Sequence, residues 1–95
     1  MSDTPYIFDV SGAANFEQLV IQNSFHKPVL VDFWAEWCAP SKALMPLLAK
    51  ITEEFRGELL LAKVDCDAEQ DIVMRFGIRS LPTVVLFKDG QPVDG

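Results

Sequence analysis

Val31-Asp32-Phe33-Trp34-Ala35-Glu36-Trp37-Cys38-Ala39-Pro40 marks the change from a buried strand to a helix. The apolar run 29–35 is rich in β-branched and aromatic residues, which predicts a strand covered on both faces of an α/β sheet. Beyond Cys38, apolar residues recur at helical spacing and predict a helix over about 39–55. Pro40 suits the first turn of this helix, whereas Pro46 should kink its interior. The apolar stripe of the helix consists of Leu44, Leu47, Leu48, Ile51 and Phe55.

The rest of the chain alternates short apolar runs with helical patterns. Two pairs resemble helix caps: Asn15 with Gln18, and Asp67 with Gln70. Asp89-Gly90 is the strongest hairpin signal. The order predicts an α/β fold with a mixed central sheet flanked by helices, in which the first connections are parallel and the last is an antiparallel hairpin. The predicted strands are 6–10, 29–35, 59–64, 83–87 and one from Pro92, and the predicted helices are about 13–23, 39–55 and 69–76, the last ending at Gly77.

Length, composition and charge indicate one small globular domain over residues 1–95. The chain is 49% hydrophobic and has a net charge of −6 without a Lys/Arg cluster, which excludes nucleic acid and anionic membranes as electrostatic partners. Two cysteines are too few for a disulfide-stapled secreted scaffold, and no signal peptide or membrane span is visible, so we expect a cytoplasmic protein. The single His, the cysteine spacing and the absence of a phosphate-binding glycine loop predict neither a metal site nor a cofactor.

Cys38 is a candidate nucleophile because it stands where a strand gives way to a helix. A thiol in the first helical turn faces unpaired backbone N–H groups and the positive end of the helix dipole, both of which favour the thiolate. The alternative is that Cys38 is a small buried apolar residue, which is the usual role of a lone cysteine.

Asp32 is the one charged residue within the apolar strand. If its side chain is buried, desolvation raises its pKa and makes it a plausible proton acceptor for thiol chemistry. The alternative is a strand position that faces solvent. Cys66 lies between Asp65 and Asp67, whose charges should raise the pKa of its thiol and oppose reactivity, so physical reasoning alone favours a structural role for Cys66.

The segment 31–40, followed by Lys42, Pro46 and Ser80-Leu81-Pro82-Thr83, resembles the thioredoxin family almost letter for letter. The resemblance implies the thioredoxin fold and an oxidoreductase that acts on protein thiols and disulfides. It further implies that Cys38 attacks, that Pro82 is a cis-proline facing it, and that Asp32 exchanges protons through water. In the family a lysine is the partner of this aspartate, and Lys63 matches that lysine.

Four apolar residues are expected to surround the thiol and to contact a substrate polypeptide: Trp37, Pro40, Leu81 and Pro82. In the family, the backbone beside the cis-proline pairs with an extended substrate segment, which is a local form of strand addition. Aromatic residues beside a strand end are otherwise more often core residues, and this interpretation is kept for Phe33 and Trp34.

Ser41 departs from the family's Cys-x-x-Cys motif, because it stands where the second cysteine is expected. A dithiol site attacks with one thiolate and resolves the mixed disulfide with the second thiol, a step that serine cannot perform. The site is therefore expected to trap a mixed disulfide or to be released by an external thiol. Two explanations stay open: a natural single-thiol or binding module, or an engineered replacement made to trap a partner.

The segments 61–70, 76–77 and 90–95 also resemble the YbbN/CnoX chaperedoxins, bacterial proteins in which tetratricopeptide repeats follow a thioredoxin domain. This resemblance implies a holdase that protects cysteines of unfolding client proteins through mixed disulfides and passes the clients to chaperonin. The cysteine used there matches Cys66. It also implies that the chain is the N-terminal domain of a longer protein. The thioredoxin resemblance implies that this domain continues beyond Gly95 to complete its last strand and to add a final helix.

Overall fold

The computed structural model describes residues 4–93, which form a five-stranded sheet with helices on both faces. Asp94 and Gly95, part of the chaperedoxin-like pattern, lie outside the described residues. The strands are β1 (Ile7–Asp9), β2 (Val29–Trp34), β3 (Leu60–Asp65), β4 (Thr83–Lys88) and β5 (Gln91–Pro92), and the α-helices are α1 (Ala13–Phe16), α2 (Ala39–Glu54) and α3 (Gln70–Phe76).

The sheet order is β1-β3-β2-β4-β5, so β2 lies at the centre. Strands β1 and β2 both run parallel to β3, whereas β4 is antiparallel to β2 and to β5. This arrangement confirms the predicted mixed sheet with a final hairpin. The central position explains the continuous apolar run of β2, because Val29, Val31 and Phe33 are fully buried.

One face of the sheet packs against the first helical segment and α3. Three rings interlock there: Phe16 lies 5.4 Å from Phe76 and 5.8 Å from Phe87, and Phe76 lies 5.4 Å from Phe87, between ring centroids. The opposite face carries a smaller cluster in which Leu48 of α2 packs against Ile7 and Leu61. Helix α2 is thereby fixed against the β1–β3 side of the sheet.

The first helix differs from the prediction in its hydrogen bonding. Helix α1 is followed by π-helical turns over Glu17–Gln22 and a 3-10 turn over Asn23–Phe25. Apolar spacing determines which side chains face the core, but it does not specify the hydrogen-bond register. The predicted cap at Asn15 is wrong, because the Asn15 side chain accepts a hydrogen bond from the Ser11 N–H at 2.7 Å instead.

The apolar stripe of α2 is buried only in part. Leu48 is buried, but Leu47, Ile51 and Phe55 are exposed by 60%, 43% and 51%. The predicted apolar stripe is therefore not a continuous buried face. The fully buried positions of α2 are instead Ser41 and Thr52, whose hydroxyl groups hydrogen-bond to backbone carbonyls and so tolerate burial.

Helix α3 ends as predicted, with Gly77 in the left-handed conformation at φ 64°. The predicted cap formed by Asp67 and Gln70 is wrong, because the helix begins after Glu69 and the Asp67 N–H donates to the Asp65 side chain. Asp89-Gly90 forms the predicted turn between β4 and β5, with φ of 53° and 85°. None of the helices within residues 4–93 has the length and apolarity that crossing a membrane requires.

Candidate functional site

Cys38 lies at the carboxyl end of the central strand, as the residue that precedes α2. Its N–H donates to the Ala35 carbonyl at 3.1 Å, which folds the loop between β2 and α2. The side chain is 8% exposed, and its Sγ lies 3.8 Å from the carbonyl oxygen of Leu81. The thiol therefore faces the loop that leads into β4.

The Ser41 side chain lies in the first turn of α2 and is fully buried. Its Oγ accepts the Ala35 N–H at 3.2 Å and lies 2.9 Å from the Cys38 carbonyl oxygen and 3.2 Å from that of Ala35. A single hydroxyl thus bonds both to the loop that precedes Cys38 and to Cys38 itself. It stabilises the loop conformation, but it supplies no sulfur.

The four apolar residues expected to contact a substrate lie on the two segments that meet at the thiol: Trp37 and Pro40 next to Cys38 in the chain, and Leu81 and Pro82 on the opposite loop. The peptide bond between Leu81 and Pro82 is cis, as the resemblance implies. Trp37 is 71% exposed, Pro40 and Pro82 are exposed, and Leu81 is half-buried. Because the Leu81 carbonyl contacts the Cys38 sulfur, the structure places two neighbouring chain segments around this thiol.

Trp37 is the most prominent of these exposed side chains, and its indole N–H donates to Asp67 Oδ1 at 3.4 Å. This contact joins the loop before α2 to the loop after β3.

Asp32 is fully buried in β2, and neither of its carboxylate oxygens has a hydrogen-bond partner among residues 4–93. Burial raises the pKa of Asp32 to about 6, and the neighbouring charge of Lys63 lowers it in part. The register of the sheet places Asp32 directly beside Lys63 of β3. The expected buried carboxyl with a raised pKa is thereby confirmed, whereas its catalytic role stays a prediction.

Cys66 follows β3 at the same end of the sheet, where its N–H donates to the Trp34 carbonyl at 2.9 Å. The side chain is half-buried against the main core cluster. Burial raises the pKa of the Cys66 thiol to about 11, with further increases from Asp65, Asp67 and Asp32. The direction agrees with the sequence-based expectation, but desolvation is a larger cause than the flanking carboxylates. Cys66 is therefore protonated at neutral pH.

Asp9 was missed by reasoning from the sequence. Its carboxylate lies 3.6 Å from the Lys63 ammonium, so Lys63 stands between Asp9 on β1 and Asp32 on β2. The only signal in the sequence was alternation along β1, which puts Asp9 on the same face as Ile7. The pairing of β1 with β3, which brings Asp9 to Lys63, is a long-range contact that alternation does not reveal.

Residues 8–95 match the family model described as Thioredoxin. This chain belongs to the thioredoxin family. Its thioredoxin domain is 42% identical over 81 residues to Thioredoxin 1 of Synechococcus elongatus, an alignment that covers 85% of this chain and 74% of that one. It is 44% identical over 78 residues to a thioredoxin of Pseudomonas aeruginosa, covering 82% of this chain and 70% of the other.

Solved structures show the same thioredoxin fold. A single-substitution mutant of a thioredoxin from Halobacterium salinarum superimposes with a TM-score of 0.81 at 32% identity, and a thioredoxin of Malassezia sympodialis (Mala s 13) superimposes with 0.83 at 34%. Each superposition covers 99% of this chain and 80% of the other. Within residues 4–93 of this thioredoxin domain, no group of three or more His, Cys, Asp or Glu side chains is arranged to hold a metal ion.

Proposed function

We propose that this domain is a thiol–disulfide oxidoreductase acting on proteins, with Cys38 as its single attacking thiol. The observation that carries the proposal is the position of the Cys38 sulfur, at the start of α2 and 3.8 Å from the Leu81 carbonyl of the opposite loop. The relatives named thioredoxin support the same class of reaction.

The proposed step is a thiol–disulfide exchange. The Cys38 thiolate attacks one sulfur of a substrate disulfide, a new S–S bond forms, and the substrate's S–S bond breaks. The second substrate sulfur leaves with the bonding electrons and is then protonated. We propose that Asp32 receives, by way of water, the proton that the Cys38 thiol loses, since a buried carboxyl with a pKa of about 6 is about 90% ionised at pH 7 and is able to take up a proton.

We propose that the substrate is held as an extended polypeptide across the apolar surface formed by Trp37, Pro40, Leu81 and Pro82. Trp37 offers a large exposed ring, and the backbone around Leu81 lies next to the thiol. Backbone pairing with an extended segment provides affinity without requiring one particular sequence. This mode of docking fits a protein that acts on many different disulfides.

Ser41 determines what happens after the attack. Its hydroxyl cannot form a disulfide, and the second cysteine, Cys66, has a pKa of about 11 that keeps it in the thiol form. The mixed disulfide at Cys38 therefore persists until an external thiol releases it. The domain as it stands is a trap for its substrates rather than a catalyst with many turnovers.

The Ser41→Cys variant tests this proposal. Insulin disulfides are incubated with excess reductant and a catalytic amount of the unchanged domain, of Ser41→Cys, or of the control variant Cys38→Ser/Ser41→Cys. We expect fast turnover for Ser41→Cys, slower turnover for the unchanged domain because each cycle waits for the external thiol to release Cys38, and none for the control. A turnover rate of the unchanged domain equal to that of Ser41→Cys would refute the trap, and inactivity of Ser41→Cys would refute the oxidoreductase assignment.

A second candidate function is a redox-linked holdase, favoured by the large apolar side chains that the surface exposes. Trp37 next to the thiol, Met74 on α3 and Leu47 on α2 are each exposed by 60% or more. An unfolding client that adhered to these side chains would be tethered through Cys38 or through Cys66, although the raised pKa of the Cys66 thiol, about 11, opposes its reaction. Suppression of client aggregation together with inactive Ser41→Cys would favour the holdase. Transfer to chaperonin and a cytoplasmic location stay predictions.

A further inference from the structure

We propose that Asp9 is a positioning residue that holds the Lys63 ammonium away from Asp32 and so preserves Asp32 as a proton acceptor. This inference rests on the proposed function, in which Asp32 receives the proton of Cys38. It assigns a role in thiol chemistry to a residue on the edge strand β1.

The geometry places the three side chains in one row across the sheet. Parallel pairing brings Asp9 opposite Lys63, and Lys63 opposite Asp32, at matching positions on β1, β3 and β2. Residues at matching positions of neighbouring parallel strands project to the same face. Lys63 therefore has a carboxylate on each side.

The Lys63 side chain is bound on one of these two sides only. Its Nζ lies 3.6 Å from Asp9 Oδ1, and within residues 4–93 no ion pair joins it to Asp32. The Lys63 side chain is 15% exposed and that of Asp9 is 74% exposed, so their ion pair lies at the solvent boundary. Asp32 remains fully buried without a hydrogen bond.

Lys63 is the cation that acts on Asp32. On the other neighbouring strand, β4, the residue opposite Asp32 is Val84, which carries no charge. Helix α2 covers this face with the buried side chains of Ser41, Leu48 and Thr52, none of which titrates near neutral pH. Within residues 4–93, two thiols are also titratable near this site: Cys66, whose pKa Asp32 itself raises, and Cys38, which precedes α2 and is the proposed proton donor.

The position of Lys63 consequently sets the strength of Asp32 as a base. An ammonium drawn toward Asp32 would stabilise the carboxylate and lower its affinity for a proton. Replacing Asp9 by Asn removes the competing carboxylate and releases Lys63 toward Asp32. From the usual strength of an exposed ion pair, the midpoint of the Asp32 titration should fall by about 0.2–0.7 pH unit.

The test follows the Asp32 carboxyl carbon by NMR during a pH titration, in four forms of the full chain besides the unchanged one: Asp9→Asn, Lys63→Met, Asp9→Asn/Lys63→Met and Asp89→Asn. The last is a charge-matched control at the β4–β5 turn, five residues along β4 from Val84 and so roughly 16 Å away. In the same samples, the rate of adduct formation with a disulfide peptide is measured against pH.

We expect a lower Asp32 midpoint in Asp9→Asn, a higher one in Lys63→Met, and no further change when Asp9→Asn is added to Lys63→Met. Asp89→Asn should leave the midpoint in place. The proposal would be overturned if Asp9→Asn lowered the Asp32 midpoint equally in the unchanged chain and in Lys63→Met, because Asp9 would then act on Asp32 by its own charge. It would also be overturned by an unchanged or raised midpoint in Asp9→Asn.

The kinetic measurement separates this inference from the proposed function. If the midpoint of the attack rate moves with the Asp32 titration, both are supported. If the NMR midpoint moves and the attack rate does not follow, the role of Asp32 as proton acceptor is refuted while the coupling between Asp9 and Lys63 stands.

Discussion

The buried carboxyl of Asp32 makes a quantitative prediction about stability. Burial raises its pKa from the ordinary value of 3.8 to about 6, a change of about two pH units. Each unit corresponds to about 1.4 kcal/mol between the protonated and ionised forms, so ionised Asp32 should lower the free energy of unfolding by about 3 kcal/mol. The variant Asp32→Asn cannot ionise and should escape this cost.

The sign of the pH dependence follows from linkage. Below about pH 3.8 the carboxyl is protonated in both the folded and the unfolded chain, and ionisation costs nothing. Between about pH 4 and pH 6 only the unfolded chain ionises, so the cost grows, and above the folded pKa it is complete. Stability of the unchanged domain relative to Asp32→Asn should therefore fall as the pH rises through this interval.

Urea unfolding, monitored by tryptophan fluorescence at several pH values between about 3.5 and 8, measures this difference. Any cost of burying the new amide is independent of pH and cancels when the differences at two pH values are compared. A difference that stays constant with pH would refute the raised pKa of Asp32. A stability of the unchanged domain that rises with pH relative to Asp32→Asn would show that the charge of Lys63 outweighs burial.

Three further predictions concern other parts of the molecule. In the Cys38→Ser variant, alkylation of Cys66 at pH 8 should be about 100-fold slower than alkylation of a thiol with the ordinary pKa of 9.0. The reason is that the pKa of Cys66 is about 11, and the thiolate fraction falls tenfold for each unit. An alkylation rate equal to that of an ordinary thiol would contradict the burial of Cys66. Gly90→Ala places a Cβ 2.5 Å from the Phe25 ring, whereas a Cβ at Gly77 would meet open space. Gly90→Ala should therefore lower the free energy of unfolding more than Gly77→Ala, which bears only the positive-φ cost of about 1–2 kcal/mol. Equal losses in the two variants would contradict the contact with Phe25. Phe16→Ala should cost about 3–5 kcal/mol in urea unfolding, because Phe16 is fully buried and contacts both other rings of the cluster, Phe76 and Phe87. A loss below about 1 kcal/mol would contradict that packing.

The parts of the fold that depend on local chemistry were predictable from the sequence. The apolar run of β2 indicates a strand covered on both faces, and Pro40 together with the change of period marks the start of α2. The Asp89-Gly90 turn follows from the ease with which these residues adopt positive φ. Each of these features is decided by a few neighbouring residues.

Features that depend on tertiary contacts were not predictable in this way. The spacing of Leu47, Ile51 and Phe55 shows that they share one side of α2, but spacing does not state what covers that side, and all three are exposed. The predicted caps failed because α1 begins at Ala13, before Asn15, and α3 begins after Glu69 rather than after Asp67. The Asn15 and Asp65 side chains accept nearby N–H groups in turns instead.

The candidate site shows the same difference between residues that local sequence identifies and residues that only tertiary contacts identify. The positions of Cys38 before a helix and of Asp32 within an apolar strand were evident from the residues alone. Lys63 came from the resemblance to a family, and Asp9 came only from the structure, because the pairing of β1 with β3 joins residues that are 54 positions apart in the chain. Sheet register over such separations is set by the packing of whole elements.

The role of Cys38 as the attacking thiol can be tested by mapping the mixed disulfide. The unchanged domain is incubated with an equimolar labelled disulfide peptide at pH 7, and the modified cysteine is identified by peptide mass spectrometry over time, with Cys38→Ser and Cys66→Ser as matched controls. We expect one stable adduct at Cys38, unaffected by Cys66→Ser and abolished by Cys38→Ser. An adduct that forms mainly at Cys66 would contradict this role.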